Sequence, residues 1–296
     1  MTKPKTVRLT AGDRTFYICI NAFLIFIGVV IAIPMWSTIT LSFRPNHFIG
    51  TNFEGMFLPI WKWDTSAYEA LLGNAGFVSA FWNSMKIMVF GVITALFLTV
   101  PMAYCMSVTD LPGRKILNYF VLIPYLFHIG MIPTYLVVTD LRLTNHLAAI
   151  FLPGAIGTYN CLIMRGFFEG IPESLKESAR IDGAEEWYVL VSIILPLSKP
   201  IIMTIGLYYA VSFWNDFMHA MLYINESSLQ PIPILLRNIL MASGMNEYVE
   251  VNAFGNASVQ AIKAASVLIS TIPMVIAYPW IQKYFTKGTM LGSVKG

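Results

Sequence analysis

Residues 16–43 contain no charged side chain, and the run is long and apolar enough to cross the roughly 30 Å of a bilayer's hydrocarbon as a helix. Five more runs of comparable length follow, at 82–108, 116–138, 146–164, 189–224 and 263–285. In hydrocarbon every backbone N–H and C=O must be satisfied within the protein, so runs of this length read as helices. The composition agrees, with 56% hydrophobic residues, 12% charged and a mean hydropathy of +0.65. A soluble enzyme with an apolar core is excluded on these numbers. The expectation is an all-α integral membrane protein with six transmembrane helices. The fifth run is overlong, which places its first turns at the inner interface rather than in the span.

Lysine and arginine set the orientation. With both termini inside, Lys3, Lys5, Arg8, Arg14, Arg114, Lys115, Arg165, Lys176, Arg180, Lys283, Lys287 and Lys295 lie on the cytoplasmic side, against Arg44, Lys62, Arg142, Arg237 and Lys263 outside. That bias predicts an N-in/C-in topology. The first run is too long for a secretory signal and lacks a small-x-small cleavage site, so it reads as a retained span. A net charge of +3, carried mostly by the inner loops, points to no nucleic-acid partner. Cys19, Cys105 and Cys161 fall inside spans without metal-ligand spacing, and His47, His128, His146 and His219 are scattered over loops and spans. No Gly-rich phosphate loop is present, so no nucleotide cofactor is expected on this chain.

Between the fourth and fifth runs lies a polar insertion, 165–188, that a span-to-span connection does not require. From Pro172 the pattern sets Leu175, Ala179 and Ile181 against Glu173, Lys176, Glu177, Arg180 and Asp182, a short amphipathic helix with proline at its start. Gly183 fits the left-handed turn that ends a helix, after which a second helix restarts. Two readings of the residues stand: a docking element for a soluble partner, or an ordinary solvated loop. The outer segments 44–81 and 225–262 are long and aromatic-rich, either packed for a soluble extracytoplasmic partner or resting on the bilayer.

The string Glu177-Ser178-Ala179, then Asp182-Gly183-Ala184, Trp187 and Leu195-Pro196-Leu197-Ser198-Lys199-Pro200 resembles the signature loop of the inner-membrane permeases of binding-protein-dependent ABC importers. Ser178 stands where the family usually has alanine, and the residue stays small. Trp82-Asn83-Ser84, Ala103-Tyr104, Pro112-Gly113-Arg114 and Phe213-Trp214-Asn215-Asp216-Phe217 are similar to the carbohydrate-uptake branch. Within that branch the chain looks like second permeases that import long or modified oligosaccharides, the alginate importer's among them.

The resemblance implies a type I ABC importer permease fold. It divides the chain into a cytoplasmic N-terminus (1–15), a first span (16–43), an outer loop (44–81), a core permease domain (82–285) containing five spans and the coupling loop 165–188, and a cytoplasmic tail (286–296). Glu177, Ser178, Ala179, Asp182, Gly183 and Ala184 would form the coupling helix seated in an ATPase subunit. The tail residues Gly292, Ser293, Val294, Lys295 and Gly296 are similar to a tail that reaches between the ATPase subunits of the maltose transporter. Gly244, Met245, Asn246 and Glu247 resemble in position a loop that meets the binding protein. Implied partners are a homologous second permease, two ATP-binding subunits that carry ATP and Mg, an extracytoplasmic solute-binding protein, a sugar and membrane lipid.

Polar residues within spans mark substrate-pathway candidates: Asn83, Lys86, His128, Tyr135, Asn215, Asp216 and His219. Their structural alternatives are a snorkelling Lys86 and an Asp216–His219 pair that satisfies only itself. A passive channel and a membrane-embedded enzyme are the rival classes. The first needs no docking loop, and the second needs a convergent catalytic set that the scattered histidines do not supply.

Overall fold

The computed structural model describes residues 11–46, 48, 52–127, 129–242 and 258–292, of which 11, 52, 242 and 280–292 as backbone only. Every regular element among them is helical. The main helices are α1 (Ala11–Ser42), α2 (Ala75–Ser107), α3 (Arg114–Leu126), α4 (Met131–Asp140), α5 (Thr158–Glu169), α6 (Glu173–Ile181), α7 (Glu186–Leu197), α8 (Lys199–Trp214), α9 (Met218–Tyr223), α10 (Ile232–Ala242) and α11 (Val259–Gly292). Three segments, Gly12–Ser42, Ala75–Ser107 and Val259–Pro279, are each long and apolar enough to cross a membrane alone. The count reaches five if the bent pairs α3 with α4 and α7 with α8 each make one span.

Six unbroken spanning helices are therefore not found among the described residues. The run 116–138 is divided into α3 and α4, with Gly130 at the N-cap of α4 and Pro133 in its first turn, where a missing N–H costs nothing. The run 146–164 holds only the short helix Ala148–Phe151 before α5 begins. Pro153 lacks the N–H that would continue it, and the N–H of Gly157 donates instead to the Tyr209 hydroxyl at 2.8 Å. At the other extreme α2 starts at Ala75, earlier than hydropathy suggests, because Asn74 Oδ1 accepts from the Phe77 N–H and caps it.

The chain forms two compact units, Met1–Leu71 with Asn246–Ile269, and Leu72–Met245 with Ser270–Gly296. In the first, the apolar side chains of α1 from Phe16 to Trp36 are largely exposed, a surface suited to lipid or another membrane chain. The segment after it is packed by its aromatics: the Phe43 ring stacks on Trp63 at 4.5 Å and lies 4.9 Å from Tyr68. The Tyr68 hydroxyl is hydrogen-bonded to Ser42 Oγ at 2.7 Å, and Trp36 Nε1 donates to the Met56 carbonyl.

In the second unit α2 is the central element, packed most extensively on α8 and α5. Small and hydroxylated residues let the helices approach. A Cβ at Gly91 would lie 2.6 Å from the Phe213 ring, so α8 packs directly on glycine backbone. A buried network follows, Thr99 Oγ1 to Tyr209 Oη at 2.8 Å and Tyr209 Oη to the Gly157 N–H, joining α2, α8 and the chain before α5. Trp214 Nε1 donates to the Ser270 carbonyl and holds the end of α8 to α11.

The junction of α7 and α8 is bent by 83° at Ser198, between Pro196 and Pro200, and the preceding Val189–Ile194 is π-helical. The first turns of the fifth run are thus set at a sharp angle to the rest of it. Ser198 Oγ is buried and no described residue partners it. An unsatisfied hydroxyl costs about 1–3 kcal/mol. Ser198→Ala is therefore expected to leave the thermal midpoint of the solubilised protein unchanged or raised; a marked fall would show that the hydroxyl is bonded.

Candidate coupling loop and polar cluster

Helix α6 is delimited by local chemistry. Pro172 is its N-cap, Glu173 lies in the first turn and Arg180 in the last, both favourable to the helix dipole. It ends in a Schellman pattern: the Ala184 N–H donates to the Ala179 carbonyl at 2.9 Å, and Gly183 to Arg180 at 3.0 Å. Gly183 carries φ +83°. After the extended Glu185, α7 restarts the chain at Glu186.

The burial of α6 reverses part of the amphipathic pattern read from sequence. Leu175 is 45% and Ile181 85% exposed, whereas Lys176 is 2% exposed. The reason is pairing: the buried ammonium meets Glu173 Oε2 at 2.9 Å, while the small Ala179 and Ala184 sit against the core. Two apolar side chains are thereby left outward. Leu175 lines an open groove of about 780 Å³ together with Ser178, Ala179, Asp182, Gly183 and Tyr188.

A chain of hydrogen bonds runs along the same loop. Tyr104 Oη donates to Glu186 Oε2 at 2.6 Å; Arg180 Nε donates to Glu186 Oε1 at 2.7 Å, and its Nη1 to Glu173 Oε1 at 3.1 Å. The hydrogen bond from Lys176, then that from Arg180, holds the Glu173 carboxyl below the usual carboxylate range. For Glu186 the Arg180 hydrogen bond leads, followed by the one from Tyr104. Carboxyls with folded values lowered in this way stabilise the loop above their unfolded range near 4.3, and the gain is lost as pH falls through the lowered folded values. Order around α6 should accordingly be constant from neutral pH down to about 5 and loosen only in stronger acid, which amide exchange of the loop would report.

A second cluster gathers α2, α3 and α5. Glu169 Oε1 accepts from Arg114 Nη2 and Arg165 Nε, both at 2.9 Å; Arg165 also donates to Asn118 Oδ1 and Arg114 Nε to the Met106 carbonyl near the end of α2.

Among the pathway candidates, Asp216 and His219 pair at 2.7 Å, with Asp216 Oδ1 also accepting from the His219 N–H. The His219 ring stacks on Tyr223 at 5.9 Å, and Tyr223 on Tyr135 at 6.1 Å, so three of the candidates lie in one cluster. Tyr223, buried with its hydroxyl unpartnered by any described residue, was not singled out from sequence. Its position four after His219 was the available signal. Asn83 lies apart, its amide donating to the Ser228 and Gln230 carbonyls, while Ser84 Oγ accepts from the Ile232 N–H. Asn215 Nδ2 donates to the Val211 carbonyl one turn back, and Lys86 is exposed on α2. Gly292 ends α11. His128, Gly244, Met245, Asn246, Glu247, Ser293, Val294, Lys295 and Gly296 lie outside the described residues.

The helix, Schellman turn and bent exit occupy the stretch that carried the resemblance, and comparison decides the family. Residues 75–290 match the family described as binding-protein-dependent transport system inner membrane component. The chain belongs to this family of ABC importer permeases. It is 39% identical over 287 residues to the polygalacturonan/rhamnogalacturonan transport system permease protein YtcP of Bacillus subtilis (strain 168), covering 96% of this chain and 99% of that one. Protein LplC of the same organism is 38% identical over 298 residues, with full coverage of both chains. In structure the chain is similar to one from a bacterial ABC transporter involved in the import of the acidic polysaccharide alginate, with a TM-score of 0.83, 31% identity, and coverage of 95% of this chain and 100% of that one. Members of this family are non-catalytic membrane subunits that work with another permease, ATPase subunits and a binding protein.

Proposed function

We propose that this permease is one of two membrane subunits of an ATP-driven importer for an acidic oligo- or polysaccharide, in the inner (cytoplasmic) membrane of a bacterium. The observation that carries the substrate class is shared chemistry: polygalacturonan and alginate, named for two of its relatives, are both uronate polymers. The broken segment 146–164 counts as the sixth span, with both termini inside. Helix α6 docks on one of two ATP-binding subunits, which hold ATP and Mg, and their closure drives the spans between inward-facing and outward-facing arrangements. A homologous permease and a solute-binding protein complete the assembly. Neither a passive channel nor an enzyme accounts for the docking loop.

Uptake by cells carrying the complete transporter decides the substrate class. Galacturonate or alginate oligomers should enter and compete with each other, and neutral arabino-oligosaccharides should not compete. Transport of neutral oligomers alone would overturn the acidic assignment while leaving the permease reading intact.

The residues placed by resemblance have their own tests. Cysteines at Gly244 or Asn246 should crosslink to the binding protein when the ATPase is trapped closed, and no crosslink in that state counts against that contact. Removing residues 292–296 should lower ATP hydrolysis and uptake together; a truncated complex that hydrolyses ATP at the normal rate would reduce the tail to a plain terminus.

A further inference from the structure

Helix α6 is joined to the chain by two short connections, 170–172 and 182–185, each containing a glycine. Its own apolar contact with the core is made by the small side chain of Ala179, and Ala184 in the connection after it is equally small, so the two give little grip against rotation. What fixes it sideways is the chain of hydrogen bonds from Tyr104. Each link uses its own atom: Tyr104 Oη to Glu186 Oε2, Arg180 Nε to Glu186 Oε1, and Arg180 Nη1 to Glu173 Oε1. Glu186 is the shared node. Tyr104 belongs to α2, around which the second unit packs, and its ring is held edge-on by the fully buried Phe168 at 6.5 Å.

We infer that Tyr104, Glu186 and Arg180 form a positioning relay that makes α6 and the Tyr104 end of α2 move as one body, so that force applied to α6 reaches the spans. The inference rests on the proposed docking of α6 to an ATPase subunit. Without the relay, α6 can follow its partner by swinging on its glycine-containing connections, and ATP is hydrolysed with less movement of α2. The three residues touch neither sugar nor nucleotide; they act by holding α6 in place.

The test uses the complete transporter in proteoliposomes with its binding protein and an acidic oligosaccharide, and reads sugar imported per ATP hydrolysed. Tyr104→Phe keeps the ring on Phe168 and removes only the hydroxyl; Glu186→Ala removes the node. Each should lower the ratio by about fivefold or more, the lower end of ordinary coupling between sites. The double variant should be no worse than Glu186→Ala, since removing the node already removes the link that Tyr104→Phe cuts. A ratio unchanged from wild type in both single variants, or losses that multiply in the double, would overturn the relay. A cysteine at Asp182 tests the underlying reading separately by crosslinking to the ATPase subunit. A crosslink with unchanged ratios sinks the relay and leaves docking standing, whereas no crosslink in the wild-type background sinks both.

Discussion

Gly91→Leu should leave almost no assembled permease in the membrane. The position faces α8, where a Cβ would stand 2.6 and 2.9 Å from two carbons of the Phe213 ring and 3.0 Å from Phe151 Cβ. Phe213 has nowhere to go: it stacks on Tyr209 at 5.8 Å and lies edge-on to Phe151 at 6.3 Å, and it is buried. Overpacking of this kind costs about 1–3 kcal/mol or more even where neighbours relax. Here relaxation would also disturb Tyr209, which holds Thr99 and the Gly157 N–H. Gly206 on α8 is the control, because a Cβ there meets Leu96 at an ordinary 3.5 Å. Gly206→Ala should accumulate normally, so quantifying both variants by immunoblot of washed membranes separates close helix approach from a general intolerance of substitution. Normal levels of Gly91→Leu would mean that α2 and α8 do not pack in this way.

Gly183→Val should abolish most uptake while membrane insertion stays normal. Open space surrounds the position, with nothing within 4 Å of a Cβ, so the penalty is conformational. A φ of +83° costs a β-branched residue about 1–2 kcal/mol or more. Relief of that strain means opening the Schellman turn, which would displace Asp182 and Ala184 and redirect α6 away from its partner. Measured in the reconstituted transporter, ATP hydrolysis stimulated by substrate should fall with uptake. Wild-type values for both would remove the turn from the coupling mechanism.

Helix α6 was legible because its signals are local: a proline start, a 3.6-residue pattern and a glycine stop lie within a dozen residues. Its orientation was not. Read as an amphipathic helix it should bury Leu175 and Ile181, yet Lys176 is buried because Glu173 pairs with it and the small alanines fill the space against the core. The Tyr104–Glu186 hydrogen bond joins residues 82 positions apart, and no periodicity or motif spacing reports a contact of that range. Asp216 and His219 were found from their spacing of three, but the Tyr135 ring came to them only through the packing of α4 against Tyr223.

The sequence by itself determined that the chain is helical and spans a membrane, since uninterrupted apolar runs leave the backbone no other way to satisfy its hydrogen bonds in lipid. It also determined the family, through a loop whose residue types are dictated by a turn and an exposed surface. Tertiary structure decided which apolar runs stay straight. The run 146–164 breaks where Tyr209, from a distant helix, takes the Gly157 N–H, and the fifth run bends by 83° at Ser198, where two prolines permit a turn that only packing can fix. Hydropathy counts carbon along the chain, whereas a break depends on which partner a backbone group meets across space.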